Sequence, residues 1–209
     1  MRRALFPILA ALAATPLEAV AQVPTVEPWY QREDRGVEAQ ALVGVLVYPG
    51  AASDFLGTGL AYGVVVSIEP WHLWAFELSY QGALYETVSI DSPVDLSVFE
   101  NGGQAALKFS PRLERFEPYA LAGFGITAVD VVEEANVRSA VADDTLLLLP
   151  IALGLDYHFS SAEDEDPGEA HLMVGARAAW NFVFDNDLVP VSARGADRLI
   201  FSALFGAQF

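Results

Sequence analysis

Three histidines, His72, His158 and His171, are the side chains of this 209-residue sequence best suited to proton transfer or metal ligation. No two of them share an element at metal-ligand spacing, and there is no cysteine. The spacing therefore predicts no metal site and no bound cofactor. His158-Phe159-Ser160 is the one arrangement with nucleophilic potential. On a strand, residues i and i+2 share a face, so an imidazole there can draw the proton from a hydroxyl. The plainer reading, a histidine at a strand end beside a turn serine, is the one the surrounding sequence favours. Glycine-rich phosphate loops and nucleophile elbows are absent. Acidic runs at Glu133-Glu134, Asp143-Asp144 and Glu163 to Asp166 lack the alternating, glycine-centred spacing of a calcium loop, and read as solvated loop charge. No catalytic constellation emerges, and a non-enzymatic protein is the expectation.

A second set of charges is more regular. Glu77, Glu100, Lys108, Asp156 and Arg177 each stand among small or polar residues within a segment that alternates with period two. The segments that must position them recur at roughly ten-residue length, separated by turn chemistry. Gly36 to Tyr48 carries Val43, Val45 and Val47 on one face, and Pro49-Gly50 closes it. Thr58 to Ile68 alternates large and small residues up to a tight turn at Glu69-Pro70. In the third, Trp74, Phe76, Leu78 and Tyr80 oppose Ala75, Glu77, Ser79 and Gln81. A fourth covers Leu96 to Phe109, followed by a turn from Ser110 to Glu117. The fifth, Tyr119 to Val129, is rich in glycine, and its facing is ambiguous. Strand six runs from Thr145 to Phe159, strand seven from His171 to Phe182, and strand eight from Leu199 to Phe209. The charges fall on the small-residue faces and the bulky apolar residues on the opposite ones. That distribution suits a narrow barrel interior and a lipid-facing exterior. Trp71, Trp74, Tyr157, Phe159, Trp180, Phe182 and Phe209 gather near strand ends, as interfacial girdles do. The competing arrangement is a soluble exported β-barrel or sandwich with an aromatic core.

The ends of the chain agree with export. Met1-Arg2-Arg3, an apolar run from Ala4 to Ala14, and Ala19-Val20-Ala21 describe a cleaved signal peptide over residues 1–21. Residues 22–35, polar and containing Pro24 and Pro28, read as a periplasmic lead-in, with the barrel over 36–209. Removal of residues 1–21 takes away Arg2, Arg3 and Glu18, leaving 9 basic and 27 acidic residues and a net charge of −18. Such a balance excludes nucleic acid as a partner, because that requires a basic footprint. Yet 53% of residues are hydrophobic, with no apolar stretch after the signal near the length of a spanning helix. A membrane protein built this way closes its strands into an antiparallel barrel. The predicted fold is thus all-β, a transmembrane barrel of about eight strands.

With Ala19-Val20-Ala21, Pro118-Tyr119 ahead of Gly123 and Gly125, and the alternation Leu199, Phe201, Ala203, Phe205, Ala207, Phe209, the chain resembles the small outer-membrane β-barrels of Gram-negative bacteria, similar to the transmembrane domain of outer membrane protein A. The resemblance covers nearly all of residues 36–209. It implies a location in the cell outer membrane and contact with its lipid. It also implies that Phe205 and Phe209 form a signal read by the barrel-assembly machinery. The expected role is structural or surface-interacting, with no ligand identified, around a side-chain-filled, non-conducting interior. A small or gated pore is the alternative. The His158/Ser160 pair also resembles the lipid A deacylases, which carry His-x-Ser with a downstream glutamate, here Glu163 or Glu169. Chain direction opposes that third reading, since it sets His158 at the periplasmic rim, away from the outer face where the deacylase site lies.

Overall fold

A computed structural model describes residues 36–87, 97–132, 144–160, 170–184 and 197–209. The signal peptide, the lead-in and the acidic runs at 133–134 and 163–166 lie outside the described residues. Eight strands follow in chain order: β1 (Val37–Val47), β2 (Gly59–Trp71), β3 (Trp74–Glu86), β4 (Ser97–Phe109), β5 (Phe116–Val132), β6 (Asp144–His158), β7 (His171–Phe184) and β8 (Arg198–Gln208). Each pairs antiparallel with the next, and β8 returns to β1, closing the barrel. At the seam Val37 N–H donates to the Phe209 carbonyl at 3.1 Å, and Phe209 N–H donates to the Val37 carbonyl at 3.0 Å. Closure leaves no strand edge to be satisfied by lipid, which cannot hydrogen-bond.

Alternation decides what faces where. Leu78, Phe124 and Leu153 are 59%, 75% and 65% exposed, whereas Leu46 and Leu204 inside are fully buried. Exposed apolar side chains continue on every strand around the closed wall. That surface is stable only against hydrocarbon, so the barrel spans a membrane. Aromatic pairs band its turn end: Trp71 with Phe76 at 5.8 Å, Trp74 with Phe109 at 5.1 Å, and Phe116 with Tyr157 at 5.2 Å between ring centroids. Trp180 stacks on Phe182 nearer the loop end.

Three local expectations are corrected. Glu69-Pro70 is not the tight turn: β2 continues to Trp71, its register shifting between Ile68 and Trp71, and the turn falls at His72-Leu73. Proline lacks an N–H, and an irregularity in the ladder is where a strand tolerates it. The turn after β4 is shorter than Ser110 to Glu117, because β5 begins at Phe116 and takes Glu117 into the wall. The facing of β5 is also settled. Glu117, Tyr119, Leu121, Thr127 and Val129 are buried inside, while Phe124 and Ile126 face out. A second proline, Pro150, sits inward in β6 opposite Asn181. The β5–β6 pairing skips from Ala122–Ile151 to Gly125–Leu148 beside it.

A candidate site in the barrel interior

In an eight-stranded barrel, strands four apart in sequence order face each other across the lumen, and its width lets opposing side chains meet. The interior charges use that geometry in three tiers. Nearest the loops, Glu100 of β4 pairs with Arg198 of β8. The same carboxylate accepts hydrogen bonds from the hydroxyls of Tyr48 at 2.6 Å and Tyr85 at 2.7 Å. Arg198 also donates to Thr127 Oγ1 at 3.3 Å. Tyr48 lies one residue past β1, and burial raises its pKa above the ordinary phenol value, keeping it a donor to Glu100. An apolar cluster including Leu46, Leu56, Val98, Leu146, Leu148 and Ile200 fills the space around this tier.

At mid-barrel, Arg177 of β7 grips Glu77 of β3 with two parallel bonds, Nη1 to Oε1 at 2.8 Å and Nη2 to Oε2 at 2.7 Å. This bidentate fork is the strongest of the side-chain ion-pair geometries. Its Nε donates to the Tyr119 hydroxyl at 2.9 Å. The Tyr119 ring lies between tiers, its centroid 5.2 Å from Arg177 Cζ and 4.7 Å from Lys108 Nζ. Facing it across the β5–β6 ladder is Gly154, where any Cβ would strike the ring.

The third tier, at the turn end, gathers Lys108 of β4 among four carboxylates. Its Nζ is 3.0 Å from Glu38 Oε2, 3.1 Å from Glu117 Oε1, 3.6 Å from Asp156 Oδ2 and 3.9 Å from Glu69 Oε1. All five side chains are at most 1% exposed. His158, also fully buried, sets Nε2 3.0 Å from Glu117 Oε2. Beside them Arg112 donates to Gln208 Oε1 at 2.9 Å.

Glu77, Glu100, Lys108, Asp156 and Arg177, singled out in the sequence, all lie in this interior, spread over the three tiers rather than in one cluster. Sequence reasoning missed Glu38, Glu69, Glu117, Arg198 and Tyr119. Glu69 and Glu117 had been placed in turns and Arg198 one residue ahead of strand eight, and the strands extend far enough to capture all three. Glu38 carried a usable signal, since it shares parity with the buried Leu42 and Leu46. His158 finds its carboxylate in Glu117, across the β5–β6 ladder. Glu163 and Glu169 lie outside the described residues. Ser160 falls beyond the end of β6, so the shared-face relation of His-x-Ser does not hold there. Phe205 and Phe209 are 54% and 59% exposed on the outer wall.

No protein-family model and no curated protein sequence matches the chain. Solved structures with a similar arrangement include Neisserial surface protein A, at 15% identity over 83% of this chain and 96% of that one, with a TM-score of 0.49. The N-terminal β-barrel domain of Pseudomonas aeruginosa OprF is 14% identical over 84% of this chain and 100% of its own, with a TM-score of 0.45. The outer membrane enzyme PagL is 12% identical over 81% and 97%, with a TM-score of 0.42. The chain's own closed ladder and apolar exterior carry the assignment: it is a membrane-spanning, eight-stranded β-barrel of outer-membrane type.

Proposed function

We propose that the chain is an outer-membrane barrel with a structural or surface-interaction role, non-enzymatic and non-conducting, its lumen plugged by its own side chains. The Arg177–Glu77 fork carries this reading, because it joins opposite walls at mid-barrel with both partners buried. The Glu100–Arg198 bridge with its tyrosines above, and the Lys108 cluster below, close the path on either side. A charge pair held this way fills the lumen instead of lining it. Outer-membrane lipid is the partner of the exterior. Phe205 and Phe209, exposed at the closing strand, are the side chains the barrel-assembly machinery would read. A lipid A-modifying hydrolase is disfavoured, since His158 is sealed from the lipid face and bonded to Glu117.

Planar-bilayer recording on the folded mature chain tests the reading. The expected trace is flat, without stepwise conductance, and the E77A/R177A double variant should show brief openings. Regular unitary steps from the wild-type chain would establish the small or gated pore instead.

A further inference from the structure

One stretch of the outer wall carries polar groups where the rest is apolar. Asn101 of β4 stands on the lipid-facing side, one outward position below the exposed Phe99. Its Oδ1 accepts hydrogen bonds from two outward tyrosines, Tyr62 at 3.1 Å and Tyr80 at 2.5 Å. With both hydroxyls on Oδ1, the amide Nδ2 is left to donate away from the barrel. Hydrocarbon offers it no acceptor, so a polar side chain at this depth is costly unless a ligand supplies one. From Asn101 an open groove runs along β4. Gly103 and Ala105 form its floor, Tyr80 and Leu78 of β3 one wall, and Ile126 and Phe124 of β5 the other. The two glycines here do different things. At Gly82 a Cβ would strike the Tyr62 ring, so that glycine lets the ring lie towards Asn101. At Gly103 a Cβ would come no nearer than 3.9 Å, to the Ser79 carbonyl oxygen, so packing does not require glycine. Glycine weakens a strand, and what it preserves at this position is the open floor. A second outward groove, over Ala176 and Ala178 between Leu153, Leu155 and Phe201, has a similar floor. The polar residues lining it, Arg177 and Ser202, are buried towards the lumen, and it has no polar cap.

We propose that the β4 groove binds one acyl chain of a lipid A molecule, with Asn101 Nδ2 donating to an oxygen carried on that chain. The proposal rests on the outer-membrane reading above and adds a specific lipid to it. Asn101 lies towards the loop end, which faces the cell exterior in barrels of this type. From Asn101 to Leu107, the next large outward side chain of β4, is about 20 Å of strand. At a strand tilt of about 40° that is about 15 Å of depth, half of a hydrocarbon core of about 30 Å. The groove thus matches one leaflet, the outer one. A phospholipid carries its carbonyls at the headgroup, above the level of Asn101. Lipid A also bears hydroxyl and ester oxygens a few carbons down its chains, which is where the amide can reach them.

The test uses the full mature chain refolded in detergent, with folding checked by heat-modifiable migration. Lipid A or phosphatidylethanolamine is added, and native mass spectrometry counts the lipids retained per barrel. One lipid A per chain is expected, retained at least about tenfold better than phosphatidylethanolamine. N101L removes the donor, and G103F fills the floor with no backbone in its way; each should lower retention about tenfold. A178F, in the uncapped groove, should leave retention unchanged. Should one of the two groove variants fail to fold, the other and the comparison of lipids decide. Equal retention of the two lipids would overturn the site, as would undiminished lipid A on a folded groove variant or an equal loss in A178F. A dimer mass in place of a lipid adduct would assign the face to a second copy of the chain and overturn it too. Any of these leaves the barrel itself standing, since heat-modifiable migration reports the fold separately.

Discussion

The two halves of the barrel interior solve the same problem differently. At the loop end one ion pair, Glu100–Arg198, sits with two tyrosine hydroxyls inside an apolar cluster, and each charge meets one opposite charge. At the turn end one ammonium, Lys108, lies within 4 Å of four carboxylates, so charge is concentrated around a shared centre. Both lie within the same wall of alternating strands. A closed ladder therefore satisfies the backbone without dictating what the lumen contains. The loop-end half resembles an ordinary core with an embedded pair. Removing that pair along with its hydrogen-bond partners is tolerable in principle, since an apolar replacement of similar volume is often neutral. Lys108 differs, because its removal takes one ammonium away from four buried carboxylates at once.

The comparison is open to attack from its strongest side first. K108M should destabilise the barrel by at least about 3–5 kcal/mol, the cost of breaking a buried pair from one side. Urea unfolding in detergent micelles measures it, and an effect under about 1 kcal/mol would mean the carboxylates are already neutral. At the loop end, E100L/R198M should cost about 1–3 kcal/mol, arising from the tyrosine hydroxyls left without an acceptor. Adding Y48F and Y85F to that double variant should restore stability to near wild type; failure to do so would place structural weight on the ion pair itself. Between the halves, G154A presses on the Tyr119 ring and should cost about 1–3 kcal/mol, with near-ultraviolet circular dichroism reporting the displaced tyrosine. The smallest effect belongs to the turn that begins β5. Glu114 holds a φ of 57°, a region glycine enters freely. E114G should stabilise by less than about 1 kcal/mol, strain relief offset by a more flexible unfolded chain. A loss there would show that the glutamate side chain supports the turn.

Much of the wall was legible because a two-residue period is local. Trp74 to Tyr80 and Leu199 to Phe209 announce their faces from neighbouring residues alone, and both face as read, although β3 runs on to Glu86 and β8 spans Arg198 to Gln208. Strand ends were less legible. Pro70 reads as a terminator, yet a register shift carries β2 past it, and Glu69 goes inside with it. The glycines of β5 offer no size contrast, so only the neighbouring ladders settle which way Tyr119 and Phe124 point.

By itself the sequence determined that the strands alternate, that the bulky faces meet lipid, and that several charges must be enclosed. Only the tertiary structure decided which charges meet. Glu77 and Arg177 are 100 residues apart, and so remote a pairing leaves no local trace. Glu38, Glu117 and His158 likewise converge from three strands. Closure, strand tilt and register set the height of each residue in the lumen, and these are properties of the whole barrel rather than of any segment.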